Sequence, residues 1–291
     1  MEHQKYHFGD RPDGVWLRHL DSLHTFMPYV LRNRADAEAF ISETIDLTAI
    51  NDWLEQKNAT GQEYRYSLFQ IISMALLKTI VLRPELNRFI QGRRIYQRKH
   101  LSLAFVAKKQ FADGGAESLL MQRFADDCII DTIHESINNS VSKIRNGGSD
   151  NSTDVLDLLC KFPRCILRIV SLILRFLDYF GRIPQAIIKD DPNYASVFIS
   201  NLGSIKLHAG YHHLNNWGTN SLFVVIGEKY QAPYYDQAGK VEMRQSLDIG
   251  ITLDERISDG YYYAKSIKLL KYLLQHPETL ELPAREVVNY E

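Results

Sequence analysis

Helical periodicity is clearest over residues 67–79, where apolar positions recur every three to four residues. Pro84, just beyond, halts the run because its ring clashes with the preceding turn. Similar spacing predicts helices over 21–33, over 47–57 with Asp46 and Thr48 marking the start, over 127–143, and from Gly260 through Leu274. Residues 37–46 read as a strand and 95–108 as a strand pair, with Leu101, Leu103 and Phe105 alternating against Ser102 and Ala104. Residues 221–227 form a further apolar run. Residues 146–152 carry the strongest loop composition and are expected to be flexible. Strands interleave with helices without the regular alternation of a doubly wound fold. The expected class is α/β of the α+β kind, an open mixed sheet covered by helices.

One segment breaks this pattern. Over 161–178, Lys161, Arg164, Arg168, Ser171, Arg175 and Asp178 share a helical face, and the other positions from Cys165 to Phe176 are Leu, Ile, Val, Phe or Cys. A wide apolar surface beside a narrow cationic stripe suits a membrane interface, a neighbouring subunit, or a buried helix whose arginines reach solvent. Packing against protein is the expectation, and arginines at nearly every turn argue against a membrane-spanning helix.

Composition narrows the classes. At 291 residues with 45% hydrophobic content, the chain can bury a full core as a single domain over 1–291. A net charge of −1 argues against bulk nucleic-acid binding. Cys128, Cys160 and Cys165 form neither a C-x-x-C pair nor a zinc-spaced cluster, so no metal is expected and a reducing cytoplasm is the inferred location. The first sixteen residues lack the apolar core of a signal peptide.

The sharpest motif is Leu253-Asp254-Glu255-Arg256-Ile257-Ser258-Asp259-Gly260. Three other elements accompany it in order: Pro84-Glu85-Leu86-Asn87 after the helix at 67–79, Ile199-Ser200-Asn201-Leu202-Gly203, and His276-Pro277-Glu278 after the last helix. Together they resemble the catalytic domain of the 2-oxoacid dehydrogenase acyltransferases and their stand-alone relative chloramphenicol acetyltransferase. The likeness runs from about residue 20 to 283. The family signature reads D-H-R-x-x-D-G, and Glu255 stands in the place of its histidine. The chain is similar to a stand-alone bacterial branch carrying D-E-R there. The absence of a lipoyl-type domain and an Ala/Pro-rich linker makes chloramphenicol acetyltransferase the expected closer architectural analogue. The resemblance implies a two-layer sandwich, a homotrimer with sites between subunits, a coenzyme A thioester as co-substrate without covalently attached lipoyl group, and small-molecule acyl donor and acceptor.

The resemblance also implies roles. In the family the histidine is the general base for the attacking thiol or hydroxyl, and imidazole near pKa 6.5 suits a thiol near about 8.5 better than a carboxylate near about 4.3 does. Burial that raises Glu255 would bring it into range. His212 or His213 is the alternative base, set against a role as polar loop residues; in an extended backbone only one of them would face the site. His208 ranks below both. Ser200 carries over as oxyanion donor, with Ser204 as alternate, against a role in capping the strand and turn. Asp259 carries over as a loop-fixing residue expected to pair with Arg32 or Arg34. Arg88, Arg93 and Arg94, with Ser204, are the candidates for holding coenzyme A phosphates, against a plain solvated face. The expected function is acyl transfer between a coenzyme A or lipoyl thioester and an unidentified acceptor. The alternative is a catalytically silent trimer that binds acyl-coenzyme A as sensor or scaffold.

Overall fold

The computed structural model describes residues 9–59, 61, 63–108, 117–145 and 160–290. A small antiparallel sheet joins β1 (Gly14–Trp16), β4 (Arg94–Arg98) and β3 (Arg88–Gln91) in the order β1-β4-β3. The main sheet is built from β2 (Glu38–Asp46), β5 (Leu101–Lys108), β6 (Glu117–Phe124), β7 (Val197–Asn201), β8 (Leu222–Tyr235) and β9 (Val241–Asp254). Its order is β2-β9-β8-β7-β5-β6. β7 runs parallel to both β5 and β8, and the other neighbours are antiparallel. The helices are α1 (Ser22–Val30), α2 (Thr48–Asn58), α3 (Leu68–Leu82), α4 (Ile130–Arg145), α5 (Arg164–Tyr179), α6 (Gln185–Asp190) and α7 (Gly260–Gln275).

The alternation along each strand decides where the core lies. Leu103, Phe105, Val197, Ile199, Val224, Ile226, Ile249 and Ile251 face α2, α3, α4 and α7 in one large cluster. α3 is its centre, with Ile71, Ile72, Met74 and Leu77 fully buried. Lys78 of α3 is buried too, its ammonium donating to the carbonyls of Thr279, Leu282 and Pro283 at 2.9, 3.4 and 3.1 Å. A buried charge is tolerable only with such partners, and here they tie the C-terminal segment to the central helix.

The opposite sheet face is covered by chain rather than by helices. Residues 205–217 cross β8 and β9 so closely that a Cβ on Gly250 would collide with the carbonyl oxygen of Gly210. Tyr211 then packs on Phe40 of β2, with ring centroids 5.1 Å apart, and Leu214 is buried against Phe223 and Val225.

The mixed sheet packed on helices agrees with the class expected from the pattern. Two expectations change. β4 and β5 were to pair, yet they belong to different sheets, because β4 takes β1 and β3 as neighbours while β5 takes β6 and β7. β8 extends to Tyr235, well past the apolar run at 221–227, and β9 is a strand that the pattern did not announce. The loop expected at 146–152 lies outside the described residues.

Candidate active site

β9 ends in a buried charge cluster. Asp254, paired in register with Glu38 of β2, has no exposed surface. Arg256 turns back onto it, donating from Nε to Oδ1 at 2.7 Å and from Nη2 to Oδ2 at 2.6 Å. Arg34, in the turn after α1, places its Nε 3.8 Å from Oδ2 and donates to the carbonyls of Asn215 and Ile90. Burial lowers the Arg34 pKa, with Asp254 opposing it, and the guanidinium stays charged. Arg256 also donates to the carbonyl of Leu31 at 2.8 Å. One carboxylate thus fastens three separate pieces of chain.

The Pro84–Asn87 turn grips the same loop from the other side. Ser258 donates to the Glu85 carboxylate at 2.6 Å, and Arg88 donates to the carbonyl of Ile257 at 3.2 Å while pairing with Glu85 at 3.0 Å. Tyr263 of α7 reaches back to donate to the carbonyl of Asp254 at 2.9 Å, and burial raises its phenol pKa. Asp259 is the N-cap of α7, accepting from the N–H of Tyr262 at 2.8 Å. The arginine pairing expected for Asp259 is made instead by Asp254 with Arg34. The physical reason is that the first turn of α7 already supplies Asp259 with a donor, whereas buried Asp254 requires counter-charge.

Within this frame Glu255 is exposed. Its backbone N–H donates to Ala37 at 2.9 Å, and among the described residues its carboxylate forms no hydrogen bond or ion pair. Among the described residues nothing encloses the Glu255 carboxylate.

Ser200 stands elsewhere on the sheet. The register sets it level with Val225 and, one strand further, Gly250, five residues before Glu255. At roughly 3.3 Å per residue and about 4.8 Å per strand, Ser200 and Glu255 of one chain are on the order of 20 Å apart. They do not form one site within a protomer.

His212 and His213 lie between these two regions. The His212 ring is stacked on Phe223 at 4.2 Å and on His213 at 4.6 Å, and its Nδ1 is 2.7 Å from the carbonyl oxygen of His213. The rings thus lie side by side rather than on opposite sides of an extended backbone, because residues 211–215 form no strand. His208 is 3.4 Å from the Glu228 carboxylate.

Ser200, Asn201 and Ser204 line a cleft of about 410 Å³ at the ends of β5 and β7, with Phe69, Phe105, Ile137 and Val141 as its apolar wall. Lys108 and Arg145 add two cations to that lining, and neither was singled out from sequence. Ser204 Oγ donates to the carbonyl of Asn201 at 2.8 Å. The arginines proposed alongside Ser204 are placed differently. Arg88 serves the motif loop, the Arg93 guanidinium lies 5.3 Å from the Tyr29 ring, and Arg94 lies 4.4 Å from that of Trp16. The pairing of Arg34 with Asp254 was likewise missed. The Asp-x-Arg spacing signals only the pairing of Asp254 with Arg256, and nothing in local spacing points to the distant Arg34.

No family model and no curated protein matches the chain in sequence. Solved structures share its fold over nearly its whole length. A probable dihydrolipoamide acetyltransferase from Listeria monocytogenes aligns with a TM-score of 0.58 at 14% identity, covering 95% of this chain and 99% of that one. The dihydrolipoamide acetyltransferase of Azotobacter vinelandii aligns at 0.60 and 14%, covering 91% and 94%. A chloramphenicol acetyltransferase aligns at 0.57 and 13%, covering 90% and 99%. At these identities the likeness is one of fold.

Proposed function

We propose that this chain, which has the fold of the dihydrolipoamide acetyltransferases and chloramphenicol acetyltransferase, is an acyltransferase acting between a coenzyme A or lipoyl thioester and a small acceptor. The observation that carries the reading is the motif loop: every neighbour of Glu255 from Asp254 to Ser258 is buried or pinned, and Glu255 is presented outward with its carboxylate unpartnered among the described residues. A loop so firmly held presents its one exposed carboxylate at a fixed place, which suits a reacting group. Spacing supports the same reading. Work on the Azotobacter enzyme concerned the role of a serine, a histidine and an asparagine in catalysis, the last two four residues apart and the serine 52 before the histidine. Here Glu255 and Asp259 are also four apart, and Ser200 precedes Glu255 by 55.

Because Ser200 and Glu255 of one chain stand apart, the site is assembled from two copies, Glu255 of one facing the Ser200 cleft of the next in a homotrimer. The second copy would enclose Glu255, and a carboxylate taken out of water is a stronger base. It would then accept the proton of the attacking thiol or hydroxyl, while Ser200 donates to the oxyanion of the tetrahedral intermediate. The mixed lining of the cleft, apolar with Lys108 and Arg145, suits a thioester whose carrier bears phosphates.

The test is formation of coenzyme A and the acetylated acceptor from acetyl-coenzyme A and dihydrolipoamide, separated by chromatography because the exchange leaves the total thiol unchanged. Glu255→Gln should remove at least about 99% of turnover, in line with loss of a general base. Ser200→Ala should lower it by about 100-fold. If His212→Ala abolishes turnover and Glu255→Gln spares it, the base is the histidine. A silent acyl-coenzyme A-binding protein is the second reading, favoured by the exposure of Glu255; it predicts no turnover but a melting temperature raised by coenzyme A esters. Neither turnover nor a thermal shift would overturn both.

A further inference from the structure

Among the described residues, α5 meets the body of the protein along one edge only. Leu167, Val170, Leu174 and Leu177 are half-buried there, and Asp178 is buried in an ion pair with Arg11 at 2.7 Å. The rest of the helix looks outward. Ile166, Ile169, Leu172, Ile173, Phe176 and the following Phe180 form an exposed apolar band, with Ile169 57% and Phe176 64% accessible. Residues 166–180 extend roughly 20 Å along the axis. Arg164, Arg168 and Arg175 are exposed along the adjoining strip. Asp178 is the only acid in α5 and it points inward, so the outward surface of the helix carries positive charge alone.

The band does not end with α5. The carbonyl of Tyr179 sits where a Cβ on Gly92 would be, at a turn whose Gly92 and Arg93 have φ of 57° and 61°. Arg93 is exposed and lies over the ring of Tyr29, on α1, which itself exposes Leu23, Phe26 and Val30. Two exposed apolar helix faces thus adjoin across an arginine. A contiguous surface of this kind marks an interaction site.

We propose that this face docks on an anionic lipid membrane surface, with α5 lying flat at the boundary between headgroups and acyl chains. The charge pattern selects this occupant. A protein partner, including a second copy, would have to match three or four arginines with carboxylates beside an apolar strip. Lipid phosphates offer continuous negative charge at the level where arginine stems reach as the apolar residues sink. The inference rests on α5 and its neighbours and is independent of the acyl-transfer reading.

Flotation of the full chain with phosphatidylcholine vesicles, with and without about one-third phosphatidylglycerol, is the test. The protein should float with the anionic vesicles, and added salt should weaken the association. Arg168→Gln and Arg175→Gln should each lower partitioning about fivefold, and Ile169→Glu with Phe176→Glu should abolish it. These side chains are exposed, so unchanged circular dichroism and melting temperature should accompany the loss. Absence of flotation, or equal binding to neutral vesicles, overturns the proposal. So does a vesicle-free wild type that is a larger oligomer than the Ile169→Glu, Phe176→Glu variant, since that face would then join copies of the chain.

Discussion

Asp254 and Glu255 are adjacent in sequence and opposite in physical situation. Removing the charge of Asp254 leaves two buried arginines without their carboxylate. Asp254→Asn should therefore cost about 3–5 kcal/mol of stability, measured by urea denaturation. Glu255→Gln at the exposed position should change stability by less than about 0.5 kcal/mol. Equal effects from the two substitutions would refute the division into a holding and a presented carboxylate. The motif letters mark both residues alike, because burial depends on what Arg34 and the Pro84–Asn87 turn bring from distant parts of the chain. His134 shows the same dependence. Its ring stacks on Tyr66 at 4.0 Å, and burial lowers its pKa below the usual 6.5. The unfolded chain then binds the proton first, so this stability is full above about pH 6.5 and is lost as pH falls toward the folded pKa. The urea midpoint should drop between about pH 7.5 and about 5.5, and drop less in His134→Gln.

Among elements, the helices were the most legible. α3 starts behind Ser67, with Gln70 Oε1 accepting from the Ser67 N–H at 2.9 Å, and it stops before Pro84, as expected from the apolar spacing and the proline. The outer halves of β8 and β9 were not legible. In β8 only Ala232 is buried beyond Glu228, and in β9 Val241, Glu242 and Met243 are all exposed, so the contrast that announces a strand is weak there, and pairing between Tyr235 and Val241 holds them. The crossing segment 205–217 is set by shape more than by pattern. Gly250→Ala should push it off the sheet, because the added methyl meets the Gly210 carbonyl rather than a flexible side chain. A loss of about 1–3 kcal/mol is expected, with faster proteolysis between residues 205 and 217. Unchanged proteolysis would show that the segment is held by Leu214 and Tyr211 alone.

At the scale of the whole molecule, the separation of Ser200 from Glu255 makes the oligomer the decisive quantity. Light scattering coupled to size exclusion should give three times the chain mass, and acyl-transfer activity should fall on dilution to monomer. A monomer that keeps full activity would place the chemistry within one chain and remove the shared site. The amphipathic stretch at 161–178 teaches a related lesson. Periodicity located its two faces, but whether the apolar one would be covered was a matter of what stands beside it, and within the protomer it is exposed. By itself the sequence determined the helices with strong spacing and the core-facing residues of β5, which follow from short-range periodicity and turn chemistry. β7, the first half of β8 and the motif register around Glu255 were placed by the resemblance of short motifs in their order along the chain. Only the tertiary structure decided that β4 and β5 enter different sheets, that Asp254 rather than Asp259 meets Arg34, and that Ser200 is remote from Glu255. Those are pairings between residues far apart in sequence, settled by which buried charges and strand edges find partners when the sheet closes on α3.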